Sequence, residues 1–215
     1  MKKPGISVLG ILALCGLMGC ATYSVQVNAY LDPKSPAQLT PGAAFFVIGN
    51  KDAQNPLLEK EVKEKSAKLL EAKGYKITDF DHAEYYLLFS YGIGPGRGGS
   101  VAMPDYGFGF GVGPGYGRRN YFFAAPFFTY YPSAGERVYD RWLLLNVIDG
   151  KHYREKKEFR TVWVGETRSS GVSSDLREMI NYLLTAAFQQ FGQDTKKAVV
   201  VDLKPEDVQK QGLGK

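Results

Sequence analysis

The sequence predicts an α+β fold, a two-layer sandwich in which two amphipathic helices lie on one face of a mostly antiparallel sheet. Two segments repeat apolar residues with helical spacing, and each has one apolar stripe that must be covered. Several shorter segments alternate apolar and polar residues, as half-buried strands do. Their order along the chain is β-β-α-β, then a long glycine- and aromatic-rich insertion, then β-β-α.

The predicted strands are short and are bounded by turn residues. In the first one, every second residue from Tyr23 to Ala29 is expected on a common face. A hairpin joins the fourth and fifth strands, with an Asp149–Gly150 turn signal and His152 near its solvated tip. The predicted strands, including one at the sheet edge, span residues 23–31, 43–48, 83–91, 137–149, 158–167 and 198–203.

Both predicted helices carry clear start and stop signals. The first follows Asn55, a good N-cap, and places Pro56 at the first helical position, where a missing N–H costs nothing. Gly74 is expected to end it in a left-handed conformation. The second begins after Asp175, whose spacing to Glu178 is that of a capping box, and a terminal glycine closes it at position 192.

The insertion, residues 92–135, differs in composition from the rest of the chain. Eleven glycines lie between Gly92 and Gly117, and such a run is too costly in backbone entropy to form a regular core element. Two interpretations stay open: a weakly selected loop, or an adhesive segment whose aromatic side chains contact a membrane or a glycan. The candidate contact residues are Tyr106, Phe108, Phe110, Tyr116, Arg118, Arg119, Tyr121, Phe122 and Phe123.

The N-terminus has the layout of a secretory signal. Lys2 and Lys3 precede an uncharged apolar run, residues 6–17, which is shorter than the about 20 residues that span a bilayer. The run ends in Leu17-Met18-Gly19-Cys20, which resembles the bacterial lipobox. The resemblance implies that Cys20 receives a diacylglyceryl group on its sulfur and becomes an acylated N-terminus after cleavage. The alternative is an ordinary signal cut nearby that leaves Cys20 as a thiol.

The domain limits and the location follow from this interpretation. Residues 1–19 are the predicted signal peptide, residues 20–203 one α+β domain, and residues 204–215 a loose tail. In the sorting rule known for such lipoproteins, Asp at position 21 favours the inner membrane. The Ala21 of this chain therefore favours the outer membrane, on its periplasmic face. Since Cys15 lies in the removed segment, the remaining chain offers no free thiol for a disulfide, a metal or a nucleophile.

The charge distribution argues against nucleic acid as a partner. Removal of Lys2 and Lys3 lowers the net charge of the chain from +5 to +3. The remaining basic residues are interleaved with acidic ones, so they form no basic stripe of the kind that nucleic-acid binders carry.

The chain contains few candidates for chemistry. The spacing G-x-G-x-x-G at residues 94–99 follows a strand but precedes no helical pattern, so it does not predict a dinucleotide site. His82 lies near Asp79 and Asp81, and we expect a polar turn there rather than a metal site. The serines at residues 169–174 lack a nucleophile elbow, and helix capping explains them. We therefore expect no cofactor and no metal.

Several of these segments together resemble a known family. They are the lipobox, the strand "YSVQVNAYLDP", the helix end "LLEAKGYK", the strand opening "DFDHAEYYLLFSYGIG", the hairpin "VWVGE" and the last amphipathic helix. The pattern is similar to a family of bacterial envelope lipoproteins known only as a domain of unknown function, DUF4136. The resemblance covers residues 23–192 apart from the glycine- and aromatic-rich stretch, and it implies no established chemistry.

Three functional hypotheses follow. The first is a lipid-anchored cell-envelope lipoprotein that acts as a non-catalytic binding or structural module, held to the membrane through its N-terminal lipid. The second is an accessory subunit of an envelope assembly or lipid-transport complex, with an envelope protein as partner. The third is a hydrolase of envelope polymer, for which the candidate residues would be Asp79, Asp81, His82 and Asp140.

Overall fold

The computed structural model describes residues 22–33, 39–95 and 138–214. Within these ranges the chain forms one sheet of seven strands, with helices packed on it. The elements in chain order are β1 (Tyr23–Leu31), β2 (Ala44–Ile48), α1 (Pro56–Ala72), β3 (Lys76–Ile77), β4 (Tyr85–Pro95), β5 (Tyr139–Asp149), α2 (Gly150–Lys156), β6 (Thr161–Gly171), α3 (Leu176–Gln189), β7 (Val199–Leu203) and α4 (Pro205–Lys210).

The sheet is mixed but mostly antiparallel, which confirms the predicted fold class. Its strand order is β3-β2-β4-β5-β6-β1-β7. Strand β2 runs parallel to both β3 and β4, because α1 forms the crossover between them. The other neighbouring strands pair antiparallel.

One face of the sheet, together with α1 and α3, forms the main core. Alternate residues of the strands point into it, as predicted for β1, where Val25, Val27 and Ala29 are fully buried. Helix α3 contributes a continuous apolar stripe from Met179 to Phe191. The largest buried aromatic side chain is Trp163, which packs against Phe191 and donates its indole N–H to the Gln193 carbonyl at 2.9 Å.

The predicted helix caps are present. The Asn55 side chain accepts from the Leu58 N–H at 3.0 Å, and Gly74 has a φ of +85°. Asp175 accepts from the Glu178 N–H at 3.0 Å. The Asp175 N–H donates to Ser173 Oγ at 3.2 Å, so Ser173 supplies the acceptor that the capping box assigned to Glu178.

Residues 150–156 correct the prediction of a solvated hairpin tip, since they form the helix α2. Asp149 caps it by accepting from the His152 N–H at 2.9 Å, and Lys157 ends it with a φ of +60°. Tyr153 then packs on Tyr86, on the sheet face opposite α1 and α3. The two predicted helices lie on one face, and α2 is a further helix on the other.

The hairpin strand β6 begins at Thr161, three residues later than predicted, and it carries a bulge. Val147 pairs with Trp163 whereas Ile148 pairs with Thr161, so Val162 has no partner on β5. Strict alternation would place Val162 and Trp163 on opposite faces, one of them half exposed. Both are fully buried.

The end of the chain corrects the prediction of a loose tail. Residues 205–210 form α4, and Val208 and Leu213 are buried in the main core. Pro205 at the first turn and the Asp207 carboxylate, which accepts from the Lys204 N–H at 2.9 Å, begin the helix. Only two apolar residues of this segment, Val208 and Leu213, are buried, and two residues are too few to show a helical pattern in the sequence.

The first residues of the predicted insertion, 92–135, belong to a strand. Residues 92–95 belong to β4, which pairs with β5 as far as Pro95 and Tyr139. The rest of the glycine- and aromatic-rich stretch, residues 96–137, lies outside the described residues, and so do the signal segment and Cys20.

Candidate functional site

Three ends of the described ranges lie together at one end of the sheet. Cys20 and all nine candidate contact residues, from Tyr106 to Phe123, lie outside the described residues. The described part does locate the points from which these segments leave the sheet. Those points lie together, as the strand pairing shows.

We call this edge of the domain the Tyr23 end. Strand β1 begins there at Tyr23, opposite Leu203 of β7. Strand β4 ends there at Pro95, and β5 begins there at Tyr139, paired with Gly171 at the end of β6. Tyr23, Pro95 and Tyr139 therefore lie at the same end of the sheet.

Helices α1 and α3 also begin at the Tyr23 end, and they run side by side in the same direction. Arg177 Nε donates to Glu61 Oε2 at 2.7 Å, and Lys65 Nζ donates to Asn181 Oδ1. Both contacts join positions 116 residues apart, so the two helices stay in step over this turn. Leu57, one turn before Glu61, therefore lies on the Tyr23 side of these contacts.

Two large apolar side chains are exposed at the Tyr23 end. Leu57, in the first turn of α1, is 81% exposed, and Val172, just beyond β6, is 60% exposed. A shallow cleft of about 380 Å³, lined in part by Pro56, lies between the β2–α1 loop and α1. Its floor includes Phe46, and Lys63 Nζ lies 5.1 Å from the centroid of that ring.

A second surface is the sheet face opposite α1 and α3, which we call the open face. Among the described residues, α2 covers only its Tyr86 side. The strand register brings half-buried and exposed apolar side chains together with polar ones on the remainder. The residues of the open face include Tyr30, Leu88, Trp142, Leu144, Val164, Glu166, Arg168 and Val200, together with the polar residues Gln26, Asn28, Ser90 and Asn146.

Glu166 lies near the middle of the open face. It is paired with Leu144 of β5 on one side and Asn28 of β1 on the other. Burial raises the pKa of its carboxyl, and the nearby Arg168 guanidinium opposes that rise. Burial and the Glu166 charge also raise the pKa of Tyr30. Glu166 is thus a half-buried carboxyl group with apolar, polar and basic neighbours on this face.

Trp142 is held against the backbone on the open face. It pairs with Gly92 of β4, and a methyl group placed at Gly92 would lie 2.7 Å from the indole Cζ2. The glycine thus lets the ring lie flat on the strand. Sequence reasoning did not single out Trp142, although the alternation in "DRWLLLN" was the signal that would have placed it opposite the core.

The acidic residues and the histidine that we considered for hydrolysis do not converge. Asp79 Oδ1 and His82 Nδ1 lie 2.7 Å apart in an exposed turn before β4, and the hydrogen bond from His82 lowers the pKa of Asp79. Asp140 lies at the Tyr23 end, where it accepts from the Ser170 hydroxyl. The intervening length of β4 separates the two sites by about 30 Å, at about 3.3 Å per residue.

The described residues contain neither a cluster of metal ligands nor a membrane-spanning helix. Within residues 22–33, 39–95 and 138–214, no group of three His, Cys, Asp or Glu side chains could hold a metal ion. In the same ranges no helix has the length and apolarity required to cross a membrane. His152 lies on α2, 3.8 Å from the Glu158 carboxylate.

These features define the class of the protein: an α+β domain with helices over one face of a mostly antiparallel sheet and an open face on the other. The chain belongs to the family described as a domain of unknown function, DUF4136, whose model matches residues 21–191. The match confirms the resemblance to DUF4136 over the domain that follows Cys20. No curated protein sequence matches the chain.

The chain is similar to solved structures from several bacteria. A DUF4136 family protein from Bacteroides thetaiotaomicron is 17% identical, with a TM-score of 0.45 over 76% of this chain and 94% of its own. A PDZ domain protein from Parabacteroides distasonis is 16% identical, with a TM-score of 0.48. The match covers 85% of this chain but only 39% of that protein. A PelC dodecamer from Paraburkholderia phytofirmans is 13% identical, with a TM-score of 0.40 over 76% and 94%.

Proposed function

We propose that the protein is a lipid-anchored lipoprotein of the bacterial cell envelope, whose domain serves as a non-catalytic binding or structural module. The observation that carries the proposal is the lipobox at residues 17–20, directly before the first strand at Tyr23. An acylated Cys20 would thus hold the domain close to a bilayer. The Ala at position 21 favours the periplasmic face of the outer membrane.

Lipid attachment of this kind is physically sufficient for anchoring. Each buried methylene contributes about 0.8 kcal/mol, and a single acyl chain binds only marginally, so stable attachment needs more than one chain. A diacylglyceryl group on the sulfur together with an N-terminal acyl chain meets that requirement. The anchor requires no membrane-spanning helix.

The test is the intact mass of the protein extracted from bacterial membranes. Wild-type protein is expected to begin at Cys20 and to carry the added mass of its acyl groups, whereas Cys20→Ser is expected to carry none. Cys15→Ser is the matched control, because it removes the other cysteine from the segment that is cut away. Wild-type protein without acyl mass would overturn the proposal. Density separation of the two membranes tests the location.

The non-catalytic role is supported by the placement of the candidate residues. Asp79 and His82 are exposed at one end of the sheet, and Asp140 is bonded to Ser170 at the other. A hydrolase would need them around one substrate. Loss of a cellular phenotype on substitution of Asp79, Asp81, His82 or Asp140 in a normally folded protein would contradict this part.

A second candidate function is that of an accessory subunit in an envelope assembly or lipid-transport complex. The open face favours it, because Trp142, Leu144 and Val164 form an apolar area that α2 leaves uncovered. Mild detergent extraction should then yield a stoichiometric protein partner. Tyr30→Glu, on the exposed part of that face, is expected to release the partner, and Ile77→Glu, exposed elsewhere, is expected to retain it. A lone monomer counts against this function.

A further inference from the structure

We propose that the Tyr23 end of the domain is a bilayer-contacting surface, in which Leu57 and Val172 reach the polar–apolar boundary of the membrane. The inference rests on the proposed acylation of Cys20. The inference goes beyond acylation, because it assigns the orientation of the domain and names the side chains that touch lipid. The partner is a phospholipid surface, not a protein.

The length of the tether sets the first constraint. Only Ala21 and Thr22 separate Cys20 from the first residue of β1. Three residues of fully extended chain span at most about 10 Å, since each contributes about 3.3–3.6 Å. Acyl chains on Cys20 therefore hold Tyr23 within about 10 Å of the interface, and the opposite end of the sheet, about 30 Å away, is the part that points into the aqueous compartment.

The position of the exposed apolar side chains agrees with this orientation. Leu57 is the most exposed large apolar residue of the described chain, at 81%, and Val172 is 60% exposed. The Glu61–Arg177 contact joins the first turn of α3 to α1, and Leu57 lies one turn before Glu61. Leu57 and Val172 therefore both lie on the Tyr23 side of that contact, towards the end from which the tether leaves.

Structural roles do not account for these two side chains. Leu57 follows Pro56 in the first turn, and it is the next residue, Leu58, that points into the core. Val172 follows the last residue of β6 and belongs to neither apolar cluster. Burial in the acyl boundary would remove both from water, as interfacial segments do with their apolar residues.

The charges at the Tyr23 end are mixed. Lys51, Lys60 and Lys204 are exposed there, and so are Asp52 and Asp175. Lys60 has only a 3.8 Å contact with Glu64, in which both side chains are largely exposed. Because these charges are of both signs, the apolar side chains rather than net charge decide the contact.

The experiment measures which residues meet hydrocarbon. Acylation blocks Cys20, so a nitroxide spin label can be attached to the full acylated protein at Leu57→Cys or Val172→Cys. Phe159→Cys and Ile77→Cys are matched controls. Their parent side chains are also exposed, at 46% and 37%, and they lie at the opposite end, near the first residues of β6 and β2.

Each labelled protein is reconstituted in phosphatidylethanolamine–phosphatidylglycerol vesicles, and its accessibility to oxygen and to a water-soluble nickel chelate is compared. We expect the oxygen-to-nickel ratio to be several-fold higher at residues 57 and 172 than at 77 and 159. Equal ratios at all four positions, or higher ratios at 77 and 159, would overturn the inference. The intact mass of the same samples separates the two proposals: acylated protein with water-exposed residues 57 and 172 refutes only the orientation, and unacylated protein refutes both.

Discussion

Trp163 occupies the space in which a side chain at Gly165 would stand. A Cβ at Gly165 would lie 2.3 Å from the indole Cη2, well inside van der Waals contact. The two residues share the core face of β6, and Trp163 is fully buried there. The missing side chain thus lets the largest aromatic ring of the core lie along its own strand.

This contact predicts that Gly165→Ala is strongly destabilising. The ring cannot move aside without disturbing Phe191 and the hydrogen bond to the Gln193 carbonyl. Overpacking of this kind costs about 1–3 kcal/mol, and we expect the upper part of that range. Urea unfolding, followed by the fluorescence of the two tryptophans, measures the change.

Gly92→Ala provides a contrasting case. The new methyl group would lie 2.7 Å from Trp142, so close that the indole ring would have to move. Trp142 is half exposed on the open face, however, so its ring can swing towards solvent. We expect a cost clearly below that of Gly165→Ala, together with a red shift of the Trp142 emission. An equal cost in the two variants would show that the open face is packed as tightly as the core.

The terminal residues yield a second prediction. Leu213 is 3% exposed and packs in the main core with Val208. Leu213→Ala removes buried methyl groups and leaves a cavity, which costs about 2 kcal/mol or more. Gln211→Ala, at an exposed position in the same segment, is the control and should leave the urea midpoint unchanged. A neutral Leu213→Ala would return residues 204–215 to the loose tail that the sequence predicted.

The sequence predicts best those elements that are long and well bounded. Helices α1 and α3 have 17 and 14 residues, enough for several repeats of the apolar stripe, and Asn55 and Asp175 mark their starts. Helices α2 and α4 have seven and six residues, which is too short for any periodicity to show. Their capping groups, Asp149 and Asp207, looked like ordinary turn residues.

The surfaces depend on long-range pairing, which local patterns do not reveal. Alternation showed which residues of β5 share a face, but not that the face with Trp142 lacks a full helical cover. The bulge places the consecutive residues Val162 and Trp163 both in the core, which strict alternation does not allow. The joint position of Tyr23, Leu57 and Val172 follows from strand order and helix direction, which only the folded structure defines.

The ion pair between α1 and α3 gives a third prediction, and its effect depends on pH. Glu61 accepts from Lys65 and Arg177. Burial alone would raise the pKa of Glu61, but these two hydrogen bonds outweigh it and lower the pKa. Because the folded pKa lies below the unfolded one, the stabilisation is complete above the unfolded value of about 4.3 and is lost as pH falls through the folded value.

Glu61→Gln should therefore be less stable than wild type at pH 7, by at most about 1 kcal/mol because Arg177 is largely exposed. The difference should shrink as the pH falls below about 4. Glu64→Gln is the control, since its contact with Lys60 is longer, at 3.8 Å, and exposed. The measurement is the urea midpoint across this pH range. A constant difference would mean that the carboxylate charge has no part in the contact.

Glu166 on the open face predicts a pH dependence of opposite sign. Burial raises the pKa of its carboxyl in the folded state, and Arg168 only partly offsets the effect. The folded protein therefore holds this proton more tightly than the unfolded chain, so the favourable contribution is complete below the unfolded pKa of about 4.3. It is lost as the pH rises through the higher folded pKa. Above that pH, the charged form lowers the stability of the fold.

Glu166→Gln keeps the shape of the side chain but cannot ionise, so we expect it to be more stable than wild type at pH 7. The gain should fade as the pH is lowered below about 4, where the wild-type carboxyl is itself protonated. Glu158→Gln, whose side chain is 77% exposed, should show no such trend. If Glu166→Gln instead loses stability at pH 7, the carboxylate makes a favourable contact that outweighs its burial. The open face would then be a surface stabilised by its charge, and a partner would have to match that charge rather than the apolar area around Trp142.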